Sequence, residues 1–203
     1  GYAGTYGGYR GSGYSYLRNI QRGRPDGPWY AEWRLVDDRN AYLRTTFLPE
    51  PGMHVAVGEG EPPQNKAGNP KFLKYVLTRN ESRSGEPLES TFITLIEPHR
   101  GEPAVTGVTR LTEPTGAEGL VALAIERGDE IDYVFQSPDP AAAYSVGADR
   151  FQGRLGVVSR DRDGHIRFAY LLSGRALHQG DLVIETPGPY EGEIVAIDFD
   201  NRQ

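Results

Sequence analysis

The chain has 203 residues, a formal net charge of −6 and no cysteine. The missing cysteines exclude disulfides, thiolate nucleophiles and Cys-based zinc or iron–sulfur sites, and the acidic balance argues against nucleic acid, whose binders are usually basic. With 37% hydrophobic residues, 26 glycines and 15 prolines spread along its length, the chain is long enough to bury a core without staples and reads as one large β domain with many turns.

No run approaches the roughly 18 apolar residues of a membrane helix, and no secretory leader is evident. A membrane partner is therefore not expected. The chain opens on Gly1-Tyr2 rather than Met, so it is expected to be a processed or excised fragment. Lysine occurs only at Lys66, Lys71 and Lys74, against many arginines; a GC-rich bacterial genome accounts for that bias, although the planar fork of Arg also suits carboxylates.

Residues 1–13 alternate glycine with Tyr2, Tyr6, Tyr9 and small residues. Glycine costs too much chain entropy for a regular element here, so this stretch reads as a loop. Candidate strands follow at 14–22, 29–35, 42–47, 53–57 and 74–78. In the second of these, Trp29, Ala31, Trp33 and Leu35 share one face while Tyr30, Glu32 and Arg34 share the other, the period of a half-buried strand. Residues 92–96, 120–125 and 194–197 are apolar on both faces and read as central strands covered on both sides. Further strands are expected at 104–110, 131–136, 155–159, 166–172 and 182–185. Asp163-Gly164 carries type I′ turn chemistry, and Arg127-Gly128-Asp129 links two more strands. The one weak helical candidate is the alanine run 140–144.

About thirteen strands without long helical crossovers predict an all-β fold, a two-sheet antiparallel β-sandwich or supersandwich with little helix. Residues 14–203 are expected to form one such domain.

Candidate chemistry is sparse. His54, His99, His165 and His178 include no pair at metal-ligand spacing, so a zinc site would need ligands from distant strands. There is no nucleophile elbow, Walker loop or dinucleotide fingerprint. The glycine-rich stretch 7–13 has no P-loop lysine. Asp37-Asp38 and the Asp198/Asp200 pair read as solvated strand-end acids. Trp29 and Trp33 have the spacing of core packing more than of a sugar platform. The tyrosines of the first loop are harder to bury and suit stacking on pyranose rings.

Residues 90–103, STFITLIEPHRGEP, resemble a segment from the C-terminal part of heparinase II/III-like proteins, where a Ser, a Phe and a β-branched run precede Glu-Pro-Tyr and a Gly. Here His99 stands at the Tyr position. Residues 16–23 and 29–34 resemble the middle β region of that family, and residues 189–198 its closing strands. The resemblance spans most of the chain through loose, mainly structural motifs.

That resemblance implies a parent polysaccharide lyase, with a helical toroid preceding a β-supersandwich. Such enzymes remove the proton α to a uronate carboxylate and eliminate across C4–O, which needs a base, an acid and a group that neutralises the carboxylate. Most of those groups come from the toroid, and this chain has no histidine before His54, so no catalytic residue, metal ligand or cofactor is assigned to it. Its implied partners are a polysaccharide and an upstream toroid, in a secreted or periplasmic setting. Tyr6, Tyr9, Arg10, His99 and Arg100 are the residues expected to touch glycan. The alternatives are a stand-alone carbohydrate-binding module, which predicts an exposed aromatic platform, and a structural interface domain, which predicts an open apolar patch.

Overall fold

A computed structural model describes residues 17–62, 66–82, 85, 87–111 and 119–188. These residues form an all-β, antiparallel structure of the β-sandwich class. Fifteen strands stand in four sheets, where about a dozen in two were expected. The chain separates into two compact units, Gly1–Pro103 and Ala104–Gln203. The expected loop 1–13 and the expected strand 194–197 lie outside the described residues.

The described residues of the first unit form six strands: β1 (Arg18–Gly23), β2 (Trp29–Arg34), β3 (Ala41–Leu48), β4 (His54–Gly60), β5 (Leu73–Arg79) and β6 (Ile93–Arg100). They make two three-stranded sheets, β1-β4-β5 and β2-β3-β6. Strand β2 alternates half-buried and exposed positions as its sequence predicts. Trp29 stacks on Phe47 of β3, with ring centroids 4.2 Å apart, so the two rings pack as one apolar block. Glu50, in the turn after β3, ties the two sheets' ends together. Its carboxylate accepts from Asn80 Nδ2 just beyond β5 (2.8 Å) and from the Thr91 backbone N–H just before β6 (3.1 Å).

Strand β6 differs from expectation. Among the described residues it pairs only with β3, and Phe92 and Ile96 are exposed. Its positions alternate, with Ile93 buried and Leu95 half-buried on one face and Thr94 and Ile96 exposed on the other, so an unbroken apolar run does not by itself show that both faces are covered.

The second unit holds β7 (Val105–Arg110), β8 (Val121–Arg127), β9 (Glu130–Gln136), β10 (Tyr144–Val146), β11 (Asp149–Gln152), β12 (Leu155–Asp161), β13 (Ile166–Leu172), β14 (Ala176–Gln179) and β15 (Leu182–Glu185). A five-stranded sheet, β13-β12-β9-β8-β7, packs on a four-stranded sheet, β10-β11-β14-β15. Ala122, Phe135 and Val158 of the first layer meet Phe151 and Leu177 of the second in a fully buried core. The Phe135 and Phe151 rings lie 5.7 Å apart. Ala122, Leu123 and Ile125 are buried, and because neighbours on a strand point oppositely, β8 is covered on both faces as its sequence predicts.

The turns are less regular than expected. Gly128 takes φ +58° in the two-residue β8–β9 hairpin, where Arg127 faces Glu130. At Asp163-Gly164, only the glycine has positive φ. The type I′ turn needs it at both central residues, so the expected turn does not form. Instead the Gly164 N–H donates to Asp161 O (3.0 Å), which makes the glycine the fourth residue of a turn that opens at Asp161. The alanine run 140–144 forms no helix. Asp139 caps a turn there by accepting from the Ala141 N–H (2.9 Å), and Tyr144 begins β10.

Candidate functional site

The polar face of β2-β3-β6 carries the densest cluster of chemistry-bearing side chains. Residues directly opposite in register share a face. One row is therefore Glu32, Arg44 and Glu97, and the next is Arg34, Tyr42 and His99. Alternation in three strands thus assembles two rows of charged and aromatic groups from residues far apart in sequence.

His99 sits at the centre. Its ring stacks on Tyr42 with centroids 5.1 Å apart and planes within 10°. Its Nε2 lies 3.1 Å from Glu32 Oε2, and its Nδ1 lies 2.9 Å from the Gly101 carbonyl oxygen. Only 7% of the side chain is exposed. Arg44 presents both Nε and Nη2 to Glu32 Oε2, each at 2.7 Å, while its guanidinium lies 4.2 Å above the Tyr30 ring. The hydrogen bond from Arg44 holds the Glu32 carboxyl below the usual carboxylate range; burial works against this, and His99 adds to it. Beside them Arg100 pairs with Asp38. The Asp38 carboxyl is lowered first by the Asn40 backbone N–H and then by Arg100.

Glu32, Tyr42, Arg44, His99 and Arg100 line a pocket of about 630 Å³ that also includes Asn40, Gly101, Glu102 and Pro103. It offers the stacked Tyr42 and His99 rings, the guanidinium groups of Arg44 and Arg100, which pair with Glu32 and Asp38, and hydroxyl and amide functions. That inventory suits a polar ring bearing hydroxyls and a carboxylate. It suits proton abstraction poorly, because both nitrogens of His99 already face oxygen acceptors.

Of the expected contact residues, His99 and Arg100 both line this pocket. Tyr6, Tyr9 and Arg10 lie outside the described residues. Sequence reasoning passed over Glu32, Tyr42 and Arg44. For Glu32 the available signal was its place on the polar face of the alternating strand β2, whereas β3 shows no alternation that would single out Tyr42 and Arg44. Trp29 and Trp33 lie on the opposite, half-buried face of β2, so they do not form an open platform.

A second cluster lies in the β12–β13 hairpin. Asp161, Asp163 and His165 bring ligand-type atoms within 4.8 Å of one another. Asp161 is already committed: its Oδ1 accepts from the Asp163 and His165 backbone N–H groups, and its Oδ2 meets Arg167 at 3.1 Å. The cluster is accounted for as a turn. No helix among the described residues is long and apolar enough to cross a membrane.

Compared with protein-family models and with curated proteins, the chain matches none.

Proposed function

We propose that this chain is the β-sandwich portion of a heparinase II/III-like polysaccharide lyase. In this reading it buttresses the helical toroid of the parent protein and forms one wall of the glycan cleft, without catalysing elimination by itself. The observation that carries the reading is the pocket built around the stacked Tyr42 and His99 rings with Arg44 and Arg100 at its walls. His99 and Arg100 belong to the segment that resembles the family. The Tyr42–His99 ring pair suits contact with a pyranose, and the arginines suit a uronate carboxylate. A base, an acid and a carboxylate neutraliser are all needed for elimination, and the hydrogen bonds of His99 leave this pocket without a ready base.

Calorimetric titration with alginate, heparan sulfate and hyaluronan oligosaccharides tests the wall, and absorbance of newly formed unsaturated uronate tests the chemistry. One of these glycans is expected to bind, Arg100→Ala to weaken that binding, and no unsaturated product to form. Turnover by the chain alone would defeat the non-catalytic part. Failure of all three glycans to bind would defeat the cleft wall.

A structural interface domain is a second reading, favoured by one feature of β13. Ile166, Phe168, Tyr170 and Leu172 form an exposed apolar stripe along that edge strand, with Phe168 52% exposed. Under this reading, replacing Phe168 and Tyr170 by serine lowers hydrophobic-dye binding and leaves glycan affinity unchanged.

A further inference from the structure

His99 stands between two oxygens that a neutral imidazole cannot both satisfy. Its Nε2 lies 3.1 Å from Glu32 Oε2, and its Nδ1 lies 2.9 Å from the Gly101 carbonyl oxygen. A carbonyl oxygen only accepts, and so does an ionised carboxylate. Glu32 is such a carboxylate, because the hydrogen bond from Arg44 holds it below the usual range. A neutral imidazole has one N–H and one bare lone pair. With one ring proton, one of the two contacts sets lone pair against lone pair at hydrogen-bond distance. With two, both become charge-assisted bonds.

The ring has little freedom to avoid that choice. It stacks on Tyr42, and 7% of the side chain is exposed. The charges around it are mixed. Strand β2 contributes Glu32 and Arg34, β3 contributes Arg44 beside the Tyr42 phenol, and β6 itself contributes Glu97. Glu102 follows on the pocket wall, while Arg100 pairs with Asp38. Opposite signs on every side leave the two acceptors facing the ring nitrogens as the deciding feature.

We propose that His99 is a pH-operated latch: as the imidazolium it fastens the Gly101 turn to the β2-β3-β6 sheet, and loss of one ring proton to solvent releases that turn. The proton that leaves is the one on Nδ1. Glu32 is the stronger acceptor because it is charged, so the neutral ring keeps Nε2–H and abandons the Gly101 carbonyl. Gly101 has φ +66°, a backbone that the carbonyl contact helps to fix. Gly101, Glu102 and Pro103 form one wall of the pocket, and Pro103 is the last residue of the first unit. The wall is therefore fastened on the acid side of the titration and loosened on the alkaline side. Histidine is the side chain whose charge ordinarily changes between about pH 5 and 8, so the latch works in the physiological range. It operates whether or not the pocket binds glycan.

The test is NMR titration of the full chain, without any glycan, from about pH 5 to about pH 8. At the acid end both His99 ring nitrogens are expected to carry protons. As pH rises, Nδ1 is expected to lose its proton while Nε2 keeps its own. The Gly101 carbonyl-carbon signal is expected to move with the same midpoint as the ring. In Glu32→Gln the side-chain amide donates to Nε2, so a neutral ring keeps Nδ1–H on Gly101. There the ring still titrates, but the Gly101 carbonyl is expected to hold its acid-end position. A bare ring nitrogen at the acid end overturns the inference, as does a ring still doubly protonated at the alkaline end. So does a Gly101 carbonyl that stays still while the wild-type ring titrates, or one that moves as far in Glu32→Gln as in the wild type. If that variant does not fold, the wild-type readings decide alone. None of these outcomes bears on the glycan titrations above, so the latch and the cleft wall stand or fall separately.

Discussion

His99 and Glu32 stand on strands separated by β3, yet the imidazole Nε2 lies 3.1 Å from Glu32 Oε2. The same oxygen receives Arg44, and the carboxyl is held below its ordinary value of 4.5. A carboxyl lowered by folding contributes stability that is complete above its unfolded value and is lost as pH falls through the folded one. Thermal unfolding of the wild type is therefore expected to lose stability more steeply than Glu32→Gln below about pH 4.5. Parallel acid profiles for the two proteins would remove Glu32 from the account.

Phe135 is fully buried and touches Phe151 across the layers of the second unit. Phe135→Ala removes a large side chain from a closed core, where such truncations cost about 3–5 kcal/mol. Urea unfolding followed by near-ultraviolet circular dichroism measures the loss. A cost under about 1 kcal/mol would mean that the two sheets do not pack through this ring.

Two glycines respond oppositely to alanine. At Gly174 an added Cβ would lie 2.5 Å from Leu171 Cδ1 and 2.6 Å from the Gln152 carbonyl oxygen, and backbone cannot swing aside as a side-chain tip can. Gly174→Ala is expected to destabilise by about 1–3 kcal/mol, as overpacking does. At Gly27 nothing lies within 4 Å and φ is ordinary, so Gly27→Ala is expected to stabilise by about 0.4–1 kcal/mol by restricting the unfolded chain. Melting temperatures that move in the same direction for both would contradict the assignment.

Arg160 is buried at the end of β12 and organises the neighbouring turns. Its Nε donates to Gln179 Oε1, Nη1 to Gly164 O and Nη2 to Gln179 O, each at 2.6 Å, and Nη2 meets Asp181 at 2.7 Å. Arg160→Met keeps much of the volume but strands those acceptors, at an expected cost of about 2–3 kcal/mol. The Asp181 carboxyl, lowered chiefly by its bond to Arg160, is expected to titrate at higher pH in the variant. Carboxyl-carbon NMR reads that shift directly.

Local pattern made much of this fold legible. The alternation of Trp29, Ala31 and Trp33 against Tyr30, Glu32 and Arg34 predicted the two faces of β2, and the apolar run at 120–125 predicted the covered strand β8. What failed was information that is not local. The run at 92–96 has the same apolar character as β8, but β6 leaves the face of Thr94 and Ile96 exposed. The short strands β10, β11 and β14 went unpredicted, because their three or four residues lack an apolar β-branched run like the Leu182-Val183-Ile184 that made the equally short β15 legible. The pocket was half visible. His99 and Arg100 drew notice through their motif, whereas Glu32 and Arg44 become neighbours of the histidine only through the register of β2 on β3 on β6.

That register also bears on the order of assembly. In the first unit β1 joins β4 and β4 joins β5, but β6 reaches β3 only after the chain has passed through the whole β4–β5 excursion, so that Ala41 meets Arg100. Closing the widest loop carries the greatest entropic cost and slows the contact that depends on it. His99 and Arg100 ride on that late-arriving strand. The pocket around His99 is thus completed by the most distant pairing of its unit, and a fluctuation that frees β6 dismantles it while leaving the β4–β5 hairpin intact.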